Sequence, residues 1–170
     1  MKVLNEDFDF DQLPPDKRVE VLNAFRGIPQ REMFTVGAQF YRFVTPKKGD
    51  RAPLLGNAVL NAEWWFGHRT RLQLSQLAYQ RRISLANSAR SRLAVPRLFN
   101  REMEFLVRTI ATSPIYGWIG PARWQEDEIG NVYFPGGAEQ IYFPSLAVHV
   151  GGLYSDAVKL DMWAYLDDII

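Results

Sequence analysis

The sequence predicts a single α+β domain whose helices lie mainly in its first two-thirds and pack on a mostly antiparallel β-core. Apolar residues recur at helical spacing in several stretches before Pro114. After Pro114 the chain consists of short runs rich in aromatic and β-branched residues, which are typical of strands. The chain of 170 residues contains no internal repeat and no linker-like tract, so its length suits one globular domain, residues 1–170.

Composition narrows the class of protein. Hydrophobic residues make up 47% of the chain and aromatic residues 14%, which favours a compact domain with aromatic core packing. The absence of cysteine excludes disulfides, cysteine metal ligands and a catalytic thiol. The acidic N-terminus lacks the apolar segment of a signal peptide, and no apolar run reaches the roughly 18 residues that would indicate a membrane span. We therefore expect a protein made in the cytoplasm, with no membrane span.

The N-terminal region divides into two predicted parts. Residues 1–13 are acidic and are predicted to be a mobile lead-in whose rings, Phe8 and Phe10, rest on the domain. Residues 14–33 are predicted to form an N-terminal helix and loop, with the helix itself from 15 to 26.

Local patterns predict the remaining elements. Helical spacing of apolar residues predicts helices, and aromatic or β-branched runs between turn residues predict strands. The predicted helices are 71–92, with a break near 84–88, and 101–111. The predicted strands are 34–44, 58–66, 115–124, 132–134, 141–143, 146–150 and 157–166, and a short helix is the alternative for 157–166.

The stretch from Asn131 to Ser145, NVYFPGGAEQIYFPS, carries the most informative pattern of the chain. Two strand-like runs flank a proline, Gly136 and Gly137, which turn the chain tightly and let a ligand approach the backbone. Glu139 and Gln140 begin the second run, and a rigid strand holds such a polar pair steady. Because strand residues alternate between faces, one of the two faces the ligand, and it is Gln140 if the face of Glu139 is core. An ordinary hairpin with a solvated Glu-Gln pair is the alternative.

Two other strand-like runs contain candidate binding residues. Arg42 lies in the most aromatic part of its run, where a buried guanidinium is costly unless an anion meets it. The alternative for Arg42 is a side chain that points to solvent. Trp64 and Trp65 point to opposite faces of a strand, so at most one belongs to the core and the other lines a cleft or a partner surface.

Positive charge is concentrated in the middle of the chain, although the net charge is only +1. The positive residues there are all arginines, whose planar guanidinium favours bidentate contacts with phosphate or carboxylate. Such a distribution indicates either a basic face for phosphates or nucleic acid, or attraction between two parts of the fold. The arginines are Arg69, Arg71, Arg81, Arg82, Arg90, Arg92, Arg97, Arg101 and Arg108.

Several common catalytic motifs are absent from the sequence. It contains no P-loop, dinucleotide-binding glycine motif, zinc-protease motif or nucleophile elbow. The two histidines, His68 and His149, are far apart in sequence, so we expect neither a metal nor a Ser-His-Asp triad. What remains suits a ligand with a diphosphate and a flat ring, bound by arginines and aromatic rings. A carboxylate or amide oxygen can stabilise the oxocarbenium-like state of cleavage at a sugar carbon without metal.

Three features in this order resemble the ADP-ribosyltransferase-like layout: an arginine in an early strand (FYRFV), a following aromatic strand (AEWWF), and a late glycine turn before a Glu/Gln-bearing strand. The stretch PGGAEQIYFP also resembles the glycine-rich turn and glutamine of NAD glycohydrolase toxins of the tuberculosis-necrotizing-toxin type, and GWIGPARWQ adds to that resemblance. The resemblance implies an ADP-ribosyltransferase-like β-core.

The resemblance also implies roles for individual residues. Arg42 is the counterpart of the arginine that grips the NAD diphosphate, and Gln140 is the counterpart of the catalytic glutamine beside the nicotinamide ribose. Glu139 is the second catalytic candidate. Four further residues are implied in binding NAD, which is a substrate rather than a resident cofactor: Trp64, Trp65, Gly136 and Gly137.

The implied function is that of an NAD-consuming toxin or effector domain, either an NAD glycohydrolase or an ADP-ribosyltransferase. The implied partners are NAD, an immunity protein and, for a transferase, a protein or nucleic-acid acceptor; delivery to another cell by a secretion system is implied as well. The sequence departs from the transferase pattern because AEWWF replaces Ser-Thr-Ser and because Gly137 stands two residues before Glu139. The second departure favours hydrolysis over transfer to a protein side chain.

Two other functions remain open at this point. The arginine-rich segment 67–108 is compatible with a nucleic-acid-binding protein, although it carries no recognised nucleic-acid-binding signature. The aromatic residues are compatible with a non-enzymatic interaction protein, such as a phage or secretion-system component.

Overall fold

The computed structural model describes residues 3–44, 63–95, 103, 105–127, 132–144 and 153–159, the last segment as backbone only. Within these ranges the chain forms one α+β domain with a short 3₁₀ helix (Phe10–Gln12), three α-helices and nine strands. In chain order they are α1 (Pro15–Asn23), β1 (Gln30–Phe34), β2 (Gln39–Val44), β3 (Trp64–Gly67), α2 (His68–Arg81), α3 (Leu85–Arg92), β4 (Phe105–Ala111), β5 (Ile115–Pro121), β6 (Gln125–Asp127), β7 (Val132–Phe134), β8 (Glu139–Tyr142) and β9 (Leu153–Lys159).

Seven strands form one sheet in the order β1–β5–β8–β3–β2–β4–β9, and each of these pairings is antiparallel. Strands β6 and β7 form a separate two-stranded sheet. The short strand β3 lies at the centre of the large sheet. It pairs with β8 through Trp64 and Trp65, and with β2 through Phe66 and Gly67. The predicted fold class is confirmed.

The large sheet bends about β3. The rings of Phe34 on β1 and Phe40 on β2 lie 5.0 Å apart, although three strands separate β1 from β2 in the sheet. Neighbouring strands are spaced about 4.8 Å apart, so a flat sheet would keep these rings far from each other. The bend instead encloses a core between the two halves of the sheet, formed by Leu4, Phe40, Trp65, Val107, Ala111, Ile115, Ile141 and Phe143.

Helices cover the outer faces of both halves. Helices α2 and α3 pack through Leu74 and Leu85 against Tyr41, Phe43 and other residues of the β2–β4 half. Helix α1 covers the other half, where its buried face contacts β5 and β8 through Val21, Phe25, Trp118 and Tyr142. The helices therefore leave a gap on the sheet near β3, between the end of α1 and the end of α3.

The N-terminal segment packs on the outer face of β5. Leu4 forms a parallel bridge with Ile115. The rings of Phe8 and Phe10 meet the Trp118 ring edge-on at centroid distances of 4.9 and 5.4 Å. The two phenylalanines thus rest on the domain, as the sequence predicts.

Two predicted helical regions are confirmed. Helix α1 begins directly after Pro14 and ends at Asn23, within the predicted range of 15–26. The region 71–92 breaks between α2 and α3, where Arg82 adopts a left-handed conformation with φ of 54°. The Ser84 hydroxyl then accepts a hydrogen bond from the Asn87 N–H at 3.1 Å and starts the next helix.

Three predictions about local structure are wrong. The predicted helix 101–111 is strand β4 over its described part. Leu106 and Val107 pack on opposite faces of the sheet, so the sequence of this strand is an apolar run without clear alternation. Such a run cannot be distinguished from a helix by its periodicity. The predicted strand 34–44 is divided by a turn, in which Gly37 has φ of +89°. The runs around the Gly136–Gly137 turn do not form a hairpin, since β7 pairs with β6 whereas β8 pairs with β5 and β3.

Some predicted elements lie wholly or partly outside the described residues. These are the first part of the strand at 58–66, the strand at 146–150 and the later part of the strand at 157–166.

The packing of the N-terminal segment generates a stability prediction. Phe10→Ala removes a ring that contacts both Trp118 and Tyr142, so we expect the free energy of unfolding to fall by about 2 kcal/mol. Urea titration followed by tryptophan fluorescence measures this change. The control is Leu72→Ala on the exposed side of α2, which should change stability little; equal effects of the two changes would contradict the packing role of Phe10.

Candidate active site

A cavity of about 580 Å³ occupies the gap beside β3. Its walls come from one face of α1, from β2 and β3, from the end of α3 and from the entrance to β6. The described lining residues are Glu20, Asn23, Ala24, Arg42, Phe43, Trp64, Trp65, Phe66, Leu93, Ala94, Val95, Met103, Arg123, Gln125 and Gln140. Arg42, Gln140, Trp64 and Trp65, which are separated by up to about a hundred residues in sequence, therefore meet at one cavity.

Arg42 lies on β2 with its guanidinium 5.7 Å from the centre of the Trp65 ring. Its Nε atom is shielded from solvent and has no hydrogen-bond partner in the part of the chain that the structure describes. Burial lowers the pKa of Arg42 to about 10, so the group stays charged at neutral pH. The alternative of a solvent-facing arginine is wrong. A donor shielded from solvent without an acceptor is costly, and an anion that enters the cavity would offset that cost.

Gln140 reaches the cavity from the second position of β8. Its Nε2 atom donates a hydrogen bond of 2.7 Å to the backbone carbonyl of Ala24, just after the end of α1. Because a carbonyl accepts only from the amide nitrogen, this bond fixes which end of the side chain is the oxygen. The amide oxygen is then an oriented acceptor at the cavity.

The two tryptophans of β3 pack on opposite faces of the strand, as alternation predicts. Trp65 is only 2% exposed and belongs to the core between the two halves of the sheet. Trp64 is half-buried on the other face, with its ring 5.4 Å from Phe25 and 5.1 Å from Tyr142. Both residues nevertheless line the cavity, because it lies at the end of β3.

Glu139 lies on the opposite face of the sheet from Gln140. It is exposed and lines a different cavity, of about 590 Å³, together with His68 and Arg69 at the start of α2. The hydroxyl of Thr70 donates a hydrogen bond of 3.2 Å to the Glu139 carbonyl. Ile141 shares the face of Glu139 and is fully buried in the core between the half-sheets. The structure therefore brings Gln140, and not Glu139, to the cavity of Arg42.

Gly136 and Gly137 do not line the cavity. Both have positive φ, +69° and +95°, and a Cβ on Gly136 would lie 2.5 Å from the carbonyl oxygen of Ala122. The turn is bound by hydrogen bonds from the Gly136 N–H to Ser91 at 3.0 Å and from the Gly137 N–H to Ala122 at 2.9 Å. Gly136 thus allows the backbone of Ala122 to approach closely. The sequence had instead suggested that the two glycines allow a ligand to approach.

A cluster of arginines that the sequence did not indicate surrounds this turn. A Cβ on Gly137 would lie 3.6 Å from Nη2 of Arg26 and 3.6 Å from Nη2 of Arg92, so two guanidiniums converge there. Arg26 Nη2 also donates to the Pro135 carbonyl at 3.1 Å. Arg123, which lines the cavity, is joined to the end of α1 by its N–H, 3.0 Å from the Ala24 carbonyl. These arginines come from three separate segments, so no spacing in the sequence could indicate that they converge.

Two arginines of the arginine-rich segment 67–108 contact other parts of the protein. The Arg71 guanidinium lies 4.9 Å from the centre of the Tyr41 ring, and Arg90 Nη1 donates to the Val95 carbonyl at 3.0 Å. Both side chains therefore serve intramolecular contacts. Arg97 and Arg101 lie outside the described residues.

Metal ligands and membrane spans were also sought in the described ranges. They contain no group of three or more His, Asp or Glu side chains placed to hold a metal ion. None of the helices there is long and apolar enough to cross a membrane.

Comparison with known proteins finds similarity at the level of structure. No protein-family model and no curated protein matches the sequence. The structure of Tne2 in complex with Tni2 matches with a TM-score of 0.51 and 14% identity, over 81% of this chain and 98% of that chain. The structure of Rhs1-CT in complex with its cognate immunity protein RhsI1 matches with a TM-score of 0.50 and 13% identity, over 80% of this chain and 84% of that one. The chain therefore shares the fold of these two proteins.

The close approach at Gly136 generates a prediction that separates steric contact from backbone strain. We expect Gly136→Ala to lower the free energy of unfolding by about 3 kcal/mol, from its positive φ together with the contact with Ala122. The control is Gly37→Ala, at φ of +89° with no atom within 4 Å of the new Cβ, which should cost about 1 kcal/mol. Urea denaturation of both variants measures the difference, and equal losses would show that the contact with Ala122 has no energetic effect.

Proposed function

We propose that this protein is an NAD-consuming toxin or effector domain that cleaves the bond between nicotinamide and ribose. One observation carries the proposal: the cavity beside β3 brings together an oriented glutamine amide, two tryptophans and an arginine whose buried Nε has no hydrogen-bond partner among the described residues. This is the set of groups needed to bind a dinucleotide diphosphate and to stabilise positive charge at a sugar carbon.

The size of the cavity supports a ligand of this class. Pockets for small molecules and cofactors enclose about 300–1,000 Å³, and the volume of about 580 Å³ lies within that range. The wall is mostly apolar and aromatic, with a few polar groups that would fix the orientation of the ligand. Such a distribution is typical of a specific binding site rather than of a solvent-filled surface groove.

In this proposal, Arg42 binds the diphosphate. Its buried guanidinium offers a planar set of donors, and a phosphate would supply the acceptor that its Nε lacks. Arg123 at the cavity wall provides further positive charge, and Arg26 and Arg92 converge beside Gly137, three residues before Gln140. These exposed arginines would attract an anionic dinucleotide before it enters.

Gln140 acts in this proposal on the reacting ribose, and the tryptophans bind a flat ring of the ligand. Cleavage leaves positive charge on the sugar, and an amide oxygen held in place stabilises that charge without having to reorient. The bond from Gln140 to Ala24 supplies this preorganisation. Water is the proposed acceptor, so the reaction releases nicotinamide and ADP-ribose.

A toxin role with a cognate immunity partner is proposed for this chain on the basis of its fold. Rhs1-CT, which shares that fold, has been observed in complex with its cognate immunity protein. An enzyme that depletes NAD would harm the cell that makes it, so a specific inhibitor fits the proposed activity. Delivery to another cell by a secretion system belongs to the same proposal.

An interaction surface is the second candidate function, and one exposed aromatic pair favours it. The rings of Trp124, directly before β6, and of Tyr133, on β7, lie 5.4 Å apart, and the two residues are 48% and 56% exposed. Exposed tryptophan and tyrosine residues near arginines are typical of energetically important positions in protein interfaces. Nucleic-acid binding by the 67–108 segment has no comparable support, because Arg71 and Arg90 make internal contacts.

The role of Arg42 is tested by Arg42→Lys. Lysine keeps the charge but loses the planar set of donors, so we expect NAD to bind about 10- to 100-fold more weakly. Quenching of tryptophan fluorescence by NAD gives the dissociation constant. The matched control is Arg81→Lys at the exposed end of α2, which should bind NAD like the wild type. Unaltered NAD affinity in Arg42→Lys would contradict the assignment.

The role of Gln140 is tested by Gln140→Ala. Removing one group that stabilises developing charge should lower kcat for nicotinamide release about 100-fold. Glu139→Ala should lower it much less, because Glu139 faces the other side of the sheet. Separation of nicotinamide from NAD by liquid chromatography measures turnover, with Gln76→Ala on α2 as the control. If the wild-type protein leaves NAD intact, the proposed activity is wrong; if Gln140→Ala retains full turnover, the role of Gln140 is wrong.

A further inference from the structure

We propose that Glu20 is a catalytic residue of this site and accepts the proton of the water that attacks the ribose. The inference rests on the proposed NAD hydrolysis and adds a residue to it that the sequence did not indicate. Among the described residues that line the cavity, Glu20 is the one carboxylate. Hydrolysis consumes one water and releases one proton, so a base at the cavity has a defined task.

Helix α1 places Glu20 at the cavity that Gln140 also lines. Residues four positions apart lie one above the other on a helix, and Glu20 lies four positions before Ala24. The Ala24 carbonyl is the atom that holds the Gln140 amide at 2.7 Å. Glu20, Asn23 and Ala24 all line the cavity, so they belong to the face of α1 that looks into it. Glu20 therefore lies one helical turn before the residue whose carbonyl anchors the Gln140 amide.

Glu20 shares Lys17 with a second carboxylate. Its Oε1 lies 3.7 Å from Lys17 Nζ, whereas Glu63 lies closer to the same Nζ, at 2.9 Å. Burial alone would lower the pKa of Lys17, and the hydrogen bonds and charges of Glu63 and Glu20 together outweigh burial and raise it. Among the described residues the contact of Glu20 with Lys17 is made by Oε1, so Oε2 is the oxygen that would accept a proton from water.

The step balances as follows. The oxygen of a water molecule bonds to the anomeric carbon of the ribose as the bond from that carbon to the nicotinamide nitrogen breaks. The electron pair of the broken bond stays on the nicotinamide ring, which leaves as a neutral molecule. One proton of the water passes to the Glu20 carboxylate, which later returns it to solvent. The amide oxygen of Gln140 stabilises the charge on the sugar during the same step.

The test uses the full chain and two changes, Glu20→Gln and Glu20→Ala. Loss of a general base lowers kcat by about 100-fold or more, so both variants should turn over NAD at least that much more slowly. The dissociation constant for NAD should stay within about threefold of the wild-type value, because Glu20 does not carry the phosphate contacts. The control is Glu32→Gln on β1, an exposed carboxylate outside this cavity.

Chemical rescue separates a base from a structural residue. Azide attacks carbon without giving up a proton, so it should restore cleavage in Glu20→Ala and yield an azido derivative of ADP-ribose, detected by mass spectrometry. Azide should not restore cleavage in Gln140→Ala. Wild-type turnover in Glu20→Gln, or slow turnover that azide does not relieve, would overturn the role of Glu20. Failure of the wild-type protein to consume NAD would instead refute the proposed function.

Discussion

The carbonyl oxygen of Ala24 joins three parts of the chain at the edge of the cavity. It accepts one hydrogen bond from the Gln140 side chain at 2.7 Å and another from the Arg123 N–H at 3.0 Å. The last carbonyls of a helix have no donor within the helix, so they need hydrogen-bond donors from elsewhere. Here the donors to the Ala24 carbonyl are the side chain of Gln140, on β8, and the N–H of Arg123, which follows β5. The same two bonds fix the end of α1, the direction of the Gln140 amide and one wall of the cavity.

The position of the cavity follows from β3. This four-residue strand changes partners midway, from β8 to β2, and the sheet bends there. The two halves then carry separate helix layers, and the layers cannot meet over the bend. Arg42 and Trp65 come from adjacent strands at this point, so the guanidinium lies beside an aromatic ring instead of a carboxylate. The fold thus creates an apolar gap and places a cation at its edge.

Local sequence patterns were sufficient to predict the structural features that depend on residues close together in the sequence. Proline before α1, the break before Ser84 and the alternation of Glu139 and Gln140 all follow from short-range geometry. The alternation decided which of that pair reaches the cavity once Ile141 was placed in the core. The resemblance to ADP-ribosyltransferase-like proteins indicated Arg42 and Gln140 as two residues of one candidate site, and both residues line the same cavity.

Features that depend on distant segments could not be predicted in this way. Strand β4 looks helical because both of its faces are buried, and such a run has no alternation to distinguish it from a helix. The contact of Gly136 with Ala122 and the convergence of Arg26 with Arg92 join segments far apart in sequence. The position of Glu20 at the cavity could not be predicted for the same reason, because on a helix taken alone it is one more exposed carboxylate.

The energetics of Arg42 and of the Gln140 amide differ in a way that bears on function. Burial of the Arg42 Nε, which has no hydrogen-bond partner among the described residues, costs stability. Gln140 costs little, because its amide nitrogen already has an acceptor. A ligand anion would therefore stabilise the protein through Arg42, whereas Gln140 is oriented before any ligand arrives. In the proposed reaction, Arg42 would contribute to the binding of the ligand, and Gln140 would contribute to stabilisation of the transition state.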